Sequence, residues 1–110
     1  MRVNIKPLSV NECFRGRRFK SEKYTIYQRN VLMLLKPMKA PIDKIYLKVQ
    51  IGLSSKNADI DNVLKPFIDI LQIKYDFNDK NIFKITIEKE IVKKKAEYID
   101  FQLLEYKENQ

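Results

Sequence analysis

The run Asn57-Ala-Asp-Ile-Asp-Asn-Val-Leu-Lys65 places two carboxylates and a lysine within nine residues, and Asn78-Asp79 follows in a later loop. Asp59 and Asp61 lie two apart just before an apolar helical pattern, so in extended backbone they point to one side. Lys65 lies four residues after Asp61 and returns to that face within about one helical turn. Asp79 belongs to the segment that brings the chain back after the helix, and it reaches the helix start only if that loop folds over it. Three carboxylates with one lysine would form an all-oxygen site for Mg²⁺, a hard cation usually held by one or two carboxylates plus phosphate. Such an ion activates water and neutralises charge on a phosphodiester, while a lysine steadies the developing oxyanion.

The same residues have plainer uses. Asp59 or Asp61 could be a helix N-cap, Lys65 an i,i+4 partner of Asp61, and Asn78-Asp79 ordinary turn residues. One cap needs one Asp, whereas this segment offers two, and two clustered carboxylates repel each other without a cation. Other groups carry less. Asp69 and Asp76 read as surface charges, with Asp76 an auxiliary carboxylate at most. Around Glu88-Lys89-Glu90 no acid-x-Lys triplet occurs, so the comparison with acidic-x-Lys nucleases falls away. Cys13 reads as packed, because nothing stands ready to activate it. Lys93 to Lys95 read as a solvated turn, secondarily a phosphate contact.

Composition narrows the chemistry further. The 110 residues include no His, which excludes Ser-His-Asp and Cys-His catalysis and His-ligated zinc. A single Cys allows no internal disulfide and suits a reducing compartment. Met1 to Val10 lacks an apolar core for a signal peptide, and no apolar run approaches the roughly 18 residues of a membrane span. With only Gly16 and Gly52, Gly-rich phosphate loops are absent, and no small-molecule organic cofactor is expected. These features give a cytoplasmic expectation with no membrane partner.

The formal net charge of +8 is unevenly spread. Residues 1–40 hold ten Lys and Arg against two acids and carry all of it. Residues 41–110 balance twelve against twelve, and Asn57 to Asp79 is locally acidic, with five Asp against two Lys. The cluster Arg15-Gly-Arg-Arg-Phe-Lys20, with Arg15, Arg17, Arg18, Lys20 and the following Lys23, suits a phosphate backbone because Lys and Arg release condensed counterions there. Phe14, Phe19, Tyr24 and Tyr27 are interleaved with it and could stack on bases, or else anchor the segment to a core.

The positioning elements follow from periodicity. Ser21 to Leu35 reads as a helix with Ser21 as N-cap and Pro37 beyond its end. Ile45 to Ile51 alternates as a half-buried strand, and a loop runs from Gly52 to Ala58. Asp61 to about Ile73 reads as a second helix with a broad apolar face, in which Pro66 predicts a local kink or a late start. Lys74 to Asn81 is turn-rich. Ile82 to Val92 and Tyr98 to Leu104 alternate as strands, with the basic turn 93–96 between them reading as a hairpin loop. Adding a strand at Val3 to Ile5, the expectation is an α+β fold: one domain over residues 1–110, a small mixed β-sheet with two helices packed on it, a basic part at 1–40 and an acidic site segment at 57–82.

The motif Asp59-Ile-Asp-Asn-Val-Leu-Lys65, with Asp69-Ile-Leu71, Asn78-Asp79-Lys-Asn-Ile82 and a strand ending near Lys89, resembles the RusA family of Holliday junction resolvases. Pro7-Leu-Ser-Val-Asn11, followed by the basic cluster and an amphipathic helix, is also similar to that family, so the resemblance spans roughly Lys6 to Leu104. It implies a homodimeric, Mg²⁺-dependent endonuclease, with Mn²⁺ as an alternative ion, that makes paired nicks in branched DNA, a four-way junction, during recombination and repair. By motif position Asp59, Asp61 and Asp79 match the metal-binding carboxylates and Lys65 the catalytic lysine, while Asn11 and Asn62 match shared positions. The family often has two adjacent acids where this chain has Asn78-Asp79. Such proteins often come from bacteriophages or prophages, which places the expected activity in a bacterial or phage-infected cell. The alternative expectation is a non-catalytic basic nucleic-acid-binding module.

Overall fold

A computed structural model describes residues 1–16 and 19–108. The chain runs through β1 (Arg2–Val3), a 3-10 turn (Val10–Glu12), β2 (Phe14–Arg15), β3 (Phe19–Lys20), α1 (Glu22–Leu34), β4 (Ile45–Leu53), α2 (Ile60–Tyr75), a second 3-10 turn (Asp79–Asn81), β5 (Ile82–Ile91) and β6 (Tyr98–Glu105). This is the expected α+β arrangement, with a four-stranded mixed sheet in the order β1-β6-β4-β5 and a separate two-stranded hairpin of β2 and β3. Strand β4 pairs parallel with β5 and antiparallel with β6.

Alternation decides which sheet face is covered. Leu47, Val49 and Ile51 of β4 join Ile99 and Phe101 of β6 in one buried cluster with Tyr24, Tyr27 and Val31 of α1 and Val63, Phe67, Ile70 and Leu71 of α2. The intervening Lys48, Gln50 and Gln102 remain exposed on the opposite face. Both helices therefore pack on one side, and the other side of the sheet is polar. Strand β5 lies at the edge of that cover. Ile85 and Ile91 register with Leu47 and Leu53 on the covered side, yet they are 41% and 51% exposed because the helices centre on β4 and β6.

Two expectations about these elements are corrected. The segment 93–96 is not a hairpin loop: β5 and β6 do not pair, since β4 lies between them. The connection instead crosses the C-terminal end of β4, where Val92 N–H donates to Leu53 O. Helix α2 does not start late either. It begins at Ile60 and continues through Pro66, whose buried ring packs in the core and offsets the one backbone bond that proline cannot make. The helix stops at Asp76, which takes a left-handed conformation (φ 53) with its N–H bonded to Gln72 O.

Candidate functional site

Helix α2 carries the candidate residues along one charged edge. Its N-cap position is Asp59, in extended backbone, yet the side chain makes no capping hydrogen bond. The Asp59 carboxylate instead accepts from Asn62 Nδ2 at 3.3 Å, which fixes one oxygen and leaves the other free of that contact. This gives Asn62, to which sequence matching alone assigns no role, an orienting one. Asp61 is exposed in the first turn. Neither Asp59 nor Asp61 forms an ion pair among the described residues.

Lys65 does not turn back to Asp61. Its ammonium bonds Asp69 Oδ1 at 2.8 Å and lies 3.6 Å from Asp79 Oδ2. Two carboxylates on the C-terminal side attract it more strongly than the single Asp61. The loop after α2 folds back along the helix, but it brings Asp79 to Lys65 and Gln72 and not to Asp59 and Asp61 at the helix start, and Gln72 fixes it there. Its Oε1 accepts from Asp79 N–H at 2.8 Å, while its Nε2 reaches Asp69 Oδ1 at 3.5 Å. Lys65, Asp69 and Gln72 follow each other at four- and three-residue spacing, one stripe of a helix. The Asp69 hydrogen bond, ahead of the nearby charges of Asp69 and Asp79, raises the Lys65 pKa. At neutral pH Lys65 is a fixed cation and not a base.

Asn78, the departure from two adjacent acids, serves the local backbone. Its Oδ1 accepts from Lys80 N–H at 3.0 Å and caps the second 3-10 turn. Lys89, set aside in sequence as part of Glu88-Lys89-Glu90, has a structural role. It occupies an otherwise apolar register on the helix side of β5, opposite Ile51, and its ammonium donates to Lys56 O at 2.9 Å and Ala58 O at 3.0 Å. It clamps the loop that ends at Asp59. A lysine interrupting an Ile85-Ile87-x-Ile91 stripe is the available signal.

The donor set is oxygen only, which suits a hard divalent cation. Among the described residues no three acidic or Cys side chains converge on one point, so Asp59, Asp61 and Asp79 do not form a closed cage. Mg²⁺ does not need one, because one or two carboxylates with water and phosphate oxygens complete its octahedron. Asp59 and Asp61 have no ion-pair partner among the described residues and could each supply an oxygen, whereas Asp79 is engaged by Lys65.

The basic arm sits beside this edge. Ser21 caps α1 by accepting from Tyr24 N–H, and its hydroxyl donates to Glu12 O, which ties the arm to the helix. Gly16 turns the β2–β3 hairpin at φ 74. The Asp69 charge is felt at Cys13 and Tyr24: burial first, then Asp69, raises the Cys13 thiol, and the same two causes push Tyr24 up to about 12. Cys13 is buried, matching its packed reading. The stacking expectation divides, since Tyr24 and Tyr27 are buried in the core while Phe14 and Phe19 are exposed. Of the candidate phosphate contacts, Arg15 is exposed, Lys20 bonds Gln28 Oε1 at 3.2 Å, and Lys23 pairs with Glu12 at 3.2 Å. Arg17 and Arg18 lie outside the described residues.

No helix among the described residues is long and apolar enough to cross a membrane. No protein-family model matches the chain, and no curated protein matches it.

Proposed function

We propose that this protein is a RusA-like, Mg²⁺-dependent endonuclease that nicks branched DNA. The observation that carries the reading is that Asp59 and Asp61 form no ion pair among the described residues at the start of α2, one turn before a lysine held protonated by two further carboxylates. In this reading Asp59 and Asp61 hold Mg²⁺, with Mn²⁺ as the alternative ion. When bound, that ion supplies charge neutralisation on the phosphodiester and an activated water. Lys65 places its ammonium beside the scissile phosphate and stabilises charge on its oxygens. Asp69, Asp79 and Gln72 hold Lys65 in place, Asn62 aims Asp59, and Lys89 fixes the loop that presents it. The arm offsets the repulsion that an acidic centre exerts on DNA, with Arg15 the most available of its described cations and Lys20 and Lys23 partly satisfied within the protein.

The reading includes a two-fold dimer, because paired nicks need two equivalent sites. Edge strand β5 supports it, with ten residues of unpaired edge and half-exposed isoleucines. Antiparallel self-pairing centred on Thr86 sets Lys84 opposite Glu88 and Ile85 opposite Ile87, so charge and apolar matches occur together. A second copy of the chain is the partner this strand fits.

The test is cleavage of a synthetic four-way junction with Mg²⁺, with EDTA, and with Asp59→Asn. Paired nicks that EDTA and Asp59→Asn each abolish, with junction binding retained, support the reading. Tight junction binding by wild-type protein without any Mg²⁺- or Mn²⁺-dependent nick would replace it with the non-catalytic binding module.

A further inference from the structure

The crossing segment 92–97 creates a second charged locality that the arm and the acidic edge do not include. Lys94 and Lys95 line a surface concavity together with Lys6, from the segment leading into the arm, and Ser54, at the end of β4. One carboxylate belongs to the place, Glu97, and it is buried. Its own backbone N–H first, then the Ser54 hydroxyl, Lys95 N–H and the Lys6 charge, lower its pKa; the Ser54 Oγ–Glu97 Oε2 bond is 3.0 Å. Glu97 is thus turned inward onto the turn, and three lysines against one satisfied carboxylate leave a concavity that is net positive.

The backbone supports the same conclusion. Lys95 takes a left-handed conformation (φ 71), one of only two non-glycine residues to do so among those described. The other, Asp76, ends a helix. Left-handed backbone is costly for a residue with a Cβ, so surrounding structure must enforce it. Here the 93–96 turn enforces it, closed by Ala96 N–H donating to Lys93 O at 3.0 Å, and Lys94 and Lys95 of that turn both line the concavity.

We infer that Lys6, Lys94 and Lys95 form a phosphate-binding site for the DNA strand that enters the acidic centre. Resting on the nuclease reading, this makes the crossing segment a third functional region. Its position fits: Ser54 opens the loop that ends at Asp59, and five residues span at most about 17 Å. A strand of duplex DNA carries one phosphate per roughly 3.4 Å of axis, so the concavity lies within about five phosphates of Asp59. One continuous strand can occupy both.

The test is the salt dependence of binding to a four-way junction and to a linear duplex, measured for wild type, Lys94→Ala/Lys95→Ala, Lys6→Gln and, as a control on an exposed lysine elsewhere, Lys107→Ala. Each lost phosphate contact should lower the slope of log affinity against log salt by about 0.9. The double variant should therefore lose about two and Lys6→Gln about one, with Lys107→Ala unchanged and all thermal midpoints equal. Lys6→Gln lies on a separate segment and keeps the test decisive if the double variant folds poorly. A steep wild-type slope that neither variant lowers would overturn the site and leave the nuclease reading standing. A wild-type protein without salt-dependent DNA binding would overturn both.

Discussion

The two ends of the charged edge of α2 treat negative charge in opposite ways. At the start, Asp59 and Asp61 stand close in sequence with no ion pair among the described residues. About two turns later, Asp69 and Asp79 share Lys65, and Gln72 ties their backbone and side chains together. Both ends carry two carboxylates, but among the described residues only the second is supplied with a compensating cation from the chain. A protein that merely tolerated acids on this helix would be expected to disperse or pair both sets. Under the proposed nuclease reading, the open pair is the place to receive a cation and the neutralised pair a place that already holds one.

The largest effect should come from the open pair. Asp59→Asn or Asp61→Asn is expected to lower Mg²⁺-dependent nicking at least about 100-fold while junction affinity holds or improves. Gel-based nicking and binding assays on the same preparation check this, and near-wild-type nicking by Asp61→Asn would remove the distinction between the ends. Next, Lys65→Met should lower nicking by roughly ten- to hundredfold and thermal stability by up to about 1 kcal/mol, because Asp69 and Asp79 are left facing each other. Adding Asp69→Asn should restore much of the stability and none of the activity, a double-mutant cycle that separates repulsion from chemistry.

Lys89→Met should reduce nicking by a few-fold and stability by about 1 kcal/mol through loss of two carbonyl contacts. Hydrogen exchange should then accelerate in residues 54–58, and unchanged exchange would show that Lys89 does not hold the loop. In the arm, Arg15→Ala should lower the salt slope of DNA binding by about 0.9. Lys23→Ala should lower it less, because Glu12 already offsets that charge. Equal losses would mean that the Glu12 pair opens on binding.

The smallest effect is in pH. The folded-state pKa of Lys65 is raised, so its ion pairs stabilise the fold fully below the unfolded lysine value of about 10.4 and lose that contribution as pH rises through the folded value. Wild-type and Lys65→Met unfolding curves should run parallel from neutral pH to about 10 and converge above it. Convergence beginning near neutrality would contradict a fixed cation.

The helices and strands are readable in the sequence because each has its own period: Tyr24, Tyr27 and Val31 at helical spacing, and Leu47, Val49 and Ile51 in alternation. The neighbours of a strand are not. A polar turn between two alternating runs is the local pattern of a hairpin, and nothing inside residues 82–105 reveals that β4 enters between them. The site divides similarly. Asp59, Asp61 and Lys65 stand out through local spacing, and the return of Asp79 can be posed as a condition. The Lys65–Asp69 pair is a four-residue spacing readable within the helix, whereas Gln72 acquires its role only when that loop lies back on the helix and in sequence looks like an ordinary surface residue. Tyr24 and Tyr27 show the reverse, since their nearness to Arg and Lys in sequence suggests stacking while their helical period places them in the core.

The crossing over the end of β4 also dictates an order of assembly. Strand β1 pairs with β6, setting Arg2 against Asp100 and Val3 against Ile99, and β6 pairs along its full length with residues 45–52 of β4. The first strand therefore has no strand to pair with until residues 98–105 have been synthesised and β6 has settled. The unit β4-α2-β5 can form beforehand, carrying Asp59, Asp61 and Lys65 with it. The amino-terminal segment with Lys6 joins last, across the longest loop closure in the molecule, a slow step for a small domain. Refolding should then show helix and parallel-sheet signals first and protection of Val3 last, so the acidic centre would be built before its basic surroundings arrive.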